Sequence, residues 1–261
     1  YSCAYDALLN VFYNIWAENT PKWSRRMRLN EHMNILINSF EKTKEHHMTL
    51  EQARDDLRIH LNNLNRMKFP MRRGAGTSVA DLCETLLATE SMGSVISICT
   101  KCHNKIEVPI DQLMFTCYRN SRRDNLQEAL SHSVKQWLKS NLNRNGTYIG
   151  VKCCRTNIKS ISTLEKLPRI IAFHLEGTKL IPDKSFSLTI ETKRIYHLRG
   201  LVYFGEYHFT SRFITKDKNI WFNDGMVTGR SCTLEGNLRD TNLETLLQAG
   251  NKTVTLAIYA E

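Results

Sequence analysis

Ser2-Cys3-Ala4-Tyr5-Asp6-Ala7-Leu8-Leu9-Asn10 stands at the start of the chain, and the rest is read outward from it. Tyr5, Leu8, Leu9, Phe12, Ile15 and Trp16 recur at helical spacing, which predicts an amphipathic helix with one buried face. Ser2 stands where an N-cap is expected. Cys3 then lies at a helix N-terminus, where unpaired N–H groups and the helix dipole favour negative charge. The thiolate is the nucleophilic form of cysteine, and the same N–H groups suit the oxyanion formed when a thiolate attacks a carbonyl. The plainer reading is a small apolar residue tucked into a helix start. What weighs against it lies downstream, at Tyr207-His208-Phe209 and Trp221-Phe222-Asn223-Asp224.

A chain of 261 residues accommodates one large domain, or a domain with a sizeable insertion. Hydrophobic residues make up 41%, enough for a proper core, and no apolar run is long enough for a membrane helix. The first residue is Tyr1 and no signal peptide precedes Cys3, so the sequence reads as part of a longer protein whose upstream part is missing. Lys and Arg number 36 against 26 Asp and Glu, a formal charge of +10. The basic groups Arg25-Arg26, Arg72-Arg73 and Arg119 with Arg122-Arg123 are short and scattered, so they read as solvated faces, and nucleic acid is not an expected partner. Eight cysteines, unevenly spaced, are too few for a disulfide scaffold. They suit a reducing, intracellular compartment, cytoplasm or nucleus, with one reactive thiol and room for a metal site.

Along the chain, residues 3 to about 66 read as helices. Met27, Met33, Leu36, Ile37 and Phe40 give a second apolar face. Leu50, Ala53, Leu57, Leu61 and Leu64 give a third, with Thr49 as N-cap. After Pro70 and Gly74-Ala75-Gly76 a fourth helix starts near Ser78. Val95 to Ile98, Ile106 to Pro109 and Leu113 to Tyr118 read as strands. A helix carrying Leu126, Ala129, Leu130, Val134, Trp137 and Leu138 follows, and Asn145-Gly146 reads as a turn. From about residue 157 the chain is mostly β, with Thr253 to Tyr259 expected as a half-buried strand. Helices first and strands last argue an α+β fold.

A cysteine nucleophile needs a base, and the base an orienting group. His208 opens a strand-like segment, and Asn223 and Asp224 follow 15 and 16 residues later, after another short strand. Two adjacent antiparallel strands would bring His208 to one of them. His32, His46, His47, His60 and His132 fall in helical segments and read as surface or boundary residues. His174 and His197 read as structural.

At this point the chain resembles a known family, the ubiquitin-specific proteases. Their first box, Asn-x-Gly-Asn-Thr-Cys-Tyr-x-Asn-Ala-x-Leu-Gln, is similar to Ser2 through Asn10. Their Gln-Asp-Ala-x-Glu-Phe-Leu helix resembles Thr77 to Cys83, with Asp81 in the place of the Glu. Cys99 and Cys102 form a Cys-x-x-Cys pair, and Leu167-Pro168-Arg169-Ile170-Ile171-Ala172-Phe173-His174-Leu175 is similar to the Leu-Pro-x-x-Leu strand. The last box, Gly-His-Tyr followed by Trp-Tyr-x-Phe-Asp-Asp, resembles Tyr207-His208-Phe209 and Trp221 to Asp224. The resemblance implies a papain-like fold in a single catalytic-type domain: a helical thumb over 1–93, a fingers-like insertion over 94–170 and a β-rich palm over 171–261. It implies hydrolysis after the C-terminal glycine of ubiquitin, with Cys3 as nucleophile, His208 as base, Asn223 as orienting member and Asp224 in reserve. Ubiquitin or a ubiquitin-like modifier, with its conjugates, is the implied partner of a monomeric domain.

There are departures from the family. The oxyanion Asn would fall before Tyr1, Tyr207 replaces the small Gly before the His and would crowd a channel for a Gly-Gly tail, and Ser78 replaces an Asp. They leave open a ubiquitin-binding scaffold without catalysis, or a peptidase for a ubiquitin-like modifier. The resemblance requires no cofactor for catalysis. The family's zinc ribbon uses two Cys-x-x-Cys pairs; here Gly150 takes the third ligand's place and Cys153 the fourth's, with Cys154, His103 or Cys117 as substitutes. A hairpin held by packing is favoured over a structural zinc. Cys83 and Cys232 read as buried thiols.

Overall fold

The computed structural model describes residues 2–72, 74–117, 132–141, 145–154 and 156–261. Tyr1, Arg73, Arg119, Arg122 and Arg123 lie outside them, as do Leu126, Ala129 and Leu130 of the expected helix.

The first helix, α1, spans Cys3–Ala17, and Leu8, Val11, Phe12, Ile15 and Trp16 on it are fully buried. Ser2 does not cap it through its side chain; instead its carbonyl accepts the Asp6 N–H at 3.0 Å. The expected second helix is two. Helix α2, Thr20–Met27, is capped by Asn19 and buries Trp23 and Met27, and α3, Glu31–Lys44, is capped by Asn30. Helix α4, Leu50–Leu64, starts with a reciprocal capping box between Thr49 and Gln52, which satisfies two N–H groups left unpaired at a helix start. The Ser78 side chain caps α5, Val79–Leu86.

Strands then take over. β1 (Gly93–Cys99), β2 (Lys105–Pro109), β4 (Asn145–Cys153) and β5 (Thr156–Leu164) make a four-stranded antiparallel sheet in the order β2-β1-β5-β4. Asn145 and Gly146 are its paired residues, opposite Ile161 and Ser160, rather than a turn. The second sheet has nine strands. Its path runs β11 (Thr233–Asn237), β10 (Asn219–Asn223), β9 (His208–Ile214), β8 (Lys193–Gly205), β13 (Lys252–Ala260), β6 (Ile170–His174) and β3 (Met114–Thr116), with β7 (Ser185–Thr189) paired to β8 and β12 (Gln248–Ala249) to β13. The β3–β6 pair is parallel.

Alternate residues of β13 feed two cores. Leu256, Ile258 and Ala260 pack under helices α1 to α5, while Val254, Ala257 and Tyr259 face a second cluster with Val134 and Leu138 of α6 (Val134–Asn141). The strand is therefore buried on both faces, not one. Thr255 is tolerated inside because its hydroxyl donates to the Val202 carbonyl at 3.1 Å.

Helix α1 lies on β8 and β9. Gly200 on β8 is what lets it approach: a Cβ there would come within 2.1 Å of Val11 Cγ1. Asn10 Nδ2 donates to Ser211 Oγ at 3.0 Å, tying α1 to β9. Arg54 of α4 holds Asp6 of α1 at 3.0 Å. The N-terminal turn of α1 is thus fixed against the strand that starts at His208.

Candidate functional site

Cys3 and His208 line one cavity of about 720 Å³, together with Asp6, Arg54, Asp224 and Lys252. Residues 205 apart in sequence meet because α1 crosses the start of β9. His208 Nε2 lies 2.8 Å from Asp224 Oδ1, and the side chains are 13% and 12% exposed. With Nε2–H donated to the carboxylate, a neutral His208 carries its lone pair on Nδ1.

The expected orienting residue, Asn223, makes its hydrogen bonds elsewhere, and it is Asp224 that meets His208. The Asn223 side-chain amide donates to the Gly229 carbonyl at 3.1 Å and the Ser231 carbonyl at 2.9 Å, closing the loop after β10. Successive strand residues point to opposite sides, so one of the two neighbours must turn away, and it is Asn223. Asp224 also accepts the Met226 N–H at 3.0 Å, and its carbonyl accepts from Val227 and Thr228. Burial pushes the Asp224 carboxyl up, but the hydrogen bonds from His208 and Met226, with Lys252 nearby, outweigh it and hold the group below its ordinary value.

Glu206 and Tyr207 form the two-residue loop between β8 and β9, with φ of 53° and 58°. Positive φ at both central positions is the pattern of a type I′ hairpin turn, usually built from Asn-Gly. Tyr207 is 93% exposed, so its ring stands in solvent at the rim rather than plugging the cleft. It also borders a second cavity of about 480 Å³, which Cys3 lines too, together with Gly74, Gly76, Phe204 and Phe209. His174 opens onto that cavity too, and its Nε2 meets Glu176 Oε2 at 3.2 Å. In the sequence His174 reads as structural; the turn that follows β6 brings Glu176 back beside it.

Among the described residues, the Sγ atoms of Cys99, Cys102 and Cys154 lie within 4.8 Å of one another. Tetrahedral zinc with Zn–S of about 2.3 Å sets its sulfurs about 3.8 Å apart, so the three thiols fit three of its four ligand positions. Cys154, with φ of 53°, turns into the cluster. Cys154, one of the substitutes named from the sequence, thus joins the Cys99–Cys102 pair among the described residues. Cys83 is fully buried and Cys232 only partly so.

No family model matches this sequence, and no curated protein does. Solved structures do match in fold. The Saccharomyces cerevisiae Pan2 pseudoubiquitin hydrolase–RNA exonuclease module, in complex with AAUUAA RNA, superposes with a TM-score of 0.64 at 8% identity, over 97% of this chain and 51% of that one. The isolated Pan2 pseudoubiquitin hydrolase gives 0.52 at 10% identity over 99% and 84%. The yeast SAGA DUB module gives 0.51 at 14% identity over 99% and 66%. This chain spans about half the length of the Pan2 modules. The mixed helix-and-sheet fold is thus similar to ubiquitin-hydrolase folds. No helix among the described residues is long and apolar enough to cross a membrane.

Proposed function

We propose that this chain is a thiol-dependent hydrolase of the ubiquitin-specific protease type, cleaving the peptide or isopeptide bond after the C-terminal glycine of ubiquitin or a ubiquitin-like modifier. The observation that carries the reading is one cavity bordered by a helix-N-terminal cysteine and a histidine bonded to a buried carboxylate at 2.8 Å. The roles are Cys3 nucleophile, His208 base and Asp224 orienting group. Asn223 holds the loop that carries Asp224.

His208 Nδ1 takes the Cys3 proton as Sγ attacks the glycine carbonyl. The N–H groups at the start of α1 face the negative charge that develops. The tetrahedral intermediate collapses, the amine leaves with the proton from His208, and a thioester remains. Water then gives a proton to His208, attacks the thioester, and the Cys3 thiol is restored. The cavity that Cys3 shares with Gly74, Gly76, Phe204 and Phe209 suits an extended glycine-ended tail. Zinc, where Cys99, Cys102 and Cys154 hold it, supplies structure in the four-stranded sheet and no chemistry at Cys3.

A second reading has its own support: the Pan2 neighbours are named pseudoubiquitin hydrolases, and Tyr207 stands at the rim of the cleft. It is a ubiquitin-binding scaffold without turnover. A ubiquitin vinyl-sulfone probe separates the two on the full-length protein. An adduct at Cys3 that disappears in Cys3→Ala supports the hydrolase; saturable ubiquitin binding without adduct overturns it.

A further inference from the structure

Two histidines that sequence reasoning left as unconnected boundary residues meet across the helical layer. His32 Nδ1, in the first turn of α3, lies 2.9 Å from His60 Nε2 on α4. Glu31, beside His32, brings Oε1 to 3.8 Å of the same Nδ1. One ligand atom from each of the three residues lies within 4.8 Å of the others. His32 and His60 are half-buried and Glu31 is exposed, so an ion has both a partly desolvated seat and a route in from water.

We propose that His32, His60 and Glu31 form a second metal site, for a divalent transition ion of the nickel(II) or copper(II) kind, bridging α3 and α4. Two imidazoles and a carboxylate are the donor set such ions take. The 2.9 Å separation is that of a ring–ring hydrogen bond, so both rings must turn for their lone pairs to converge on one ion. Nitrogens about 2.1 Å from the ion then stand about 3.0 Å apart in square-planar or octahedral coordination and about 3.4 Å apart in a tetrahedral one, so the former needs the smaller movement. Glu31 supplies a third ligand by a small swing of its exposed side chain, and water fills the remainder.

In the metal-free protein the two rings share one proton across the 2.9 Å gap. Binding needs both inner lone pairs, so the donor ring moves its proton to its outer nitrogen, and no net proton is released. The site joins helices from different parts of the chain, so an ion bound there adds to stability by the ordinary linkage of ligand to folded state.

The test titrates nickel(II) into the full chain carrying Cys102→Ser and Cys154→Ser, which removes the thiol cluster from the count. Calorimetry should give one ion per chain, with a rise in the unfolding midpoint. His32→Ala and His60→Gln, each in that background, should lose the equivalent and the rise. Glu31→Gln should weaken binding at least tenfold. His60→Gln keeps an uncharged polar side chain and decides the matter if His32→Ala does not fold. A background protein that takes up no nickel, or variants that bind it unchanged, would overturn the site and leave a histidine–histidine hydrogen bond only.

Discussion

Replacing Asp224 by Asn keeps the shape of the site and removes one charge. The carboxylate meets His208 Nε2 at 2.8 Å with both side chains about one-eighth exposed, so little solvent screens the pair. A hydrogen bond to a charged group is worth about 1.5–3 kcal/mol. If all of it acts on the imidazolium formed in the transition state, kcat falls roughly 10- to 150-fold at about 1.4 kcal/mol per decade. KM should stay put, because the pair does not touch the tail-binding cavity. Asn223→Ala is the control. It deletes two hydrogen bonds to loop carbonyls, about 0.5–1.5 kcal/mol each, so it should lower the unfolding midpoint while leaving kcat within about threefold. The assay is turnover of a ubiquitin C-terminal fluorogenic amide, with the thermal midpoint read on the same samples. Full turnover in Asp224→Asn would refute the assignment. So would a loss in Asn223→Ala that equals it at unchanged stability.

Gly200→Ala should destabilise the fold by about 1–3 kcal/mol, since its Cβ would overlap Val11, and Val11→Ala in the same chain should recover part of that in a double-mutant cycle of urea midpoints. The lowered Asp224 carboxyl makes stability pH-dependent: its contribution is present above the unfolded-state value of about 3.9 and disappears as pH falls through the lower folded one. The difference in stability between the native chain and Asp224→Asn should therefore be largest above about pH 4 and close below it, in urea unfolding from pH 2 to pH 6. Protein purified without chelator should hold about one zinc per chain by elemental analysis, lost together with part of the thermal stability in Cys102→Ser.

Local signals in the sequence carried much of this structure. The period of α1, the Thr49 cap of α4 and the start of α5 near Ser78 follow from side chains a few residues apart, and each stands where the pattern puts it. The choice between Asn223 and Asp224 does not follow from such signals. Asn223 is the last residue of β10, paired opposite Ser211 of β9, and Asp224 lies just beyond the strand, a boundary set by pairing between strands rather than by local composition. Burial of β13 on both faces depends on which elements cover the sheet, so its alternating residues misled. The His32–His60 contact spans 28 residues and two helices, and only the packing of α3 on α4 makes it. His174 with Glu176 was within reach, since only Leu175 separates them.

The turn before His208 gives this protein unused thermal headroom. Glu206 and Tyr207 each hold a left-handed backbone that disfavours an L side chain by roughly 1–2 kcal/mol. Putting Asn and Gly there would relax both, and on a chain of this size each kcal/mol moves the melting temperature by about 2–4 °C. A relaxed variant would tolerate second mutations that the native chain does not survive. It also removes the exposed ring at the rim, so comparing its turnover with its melting temperature tells whether selection kept Tyr207 for what it touches or merely never discarded it.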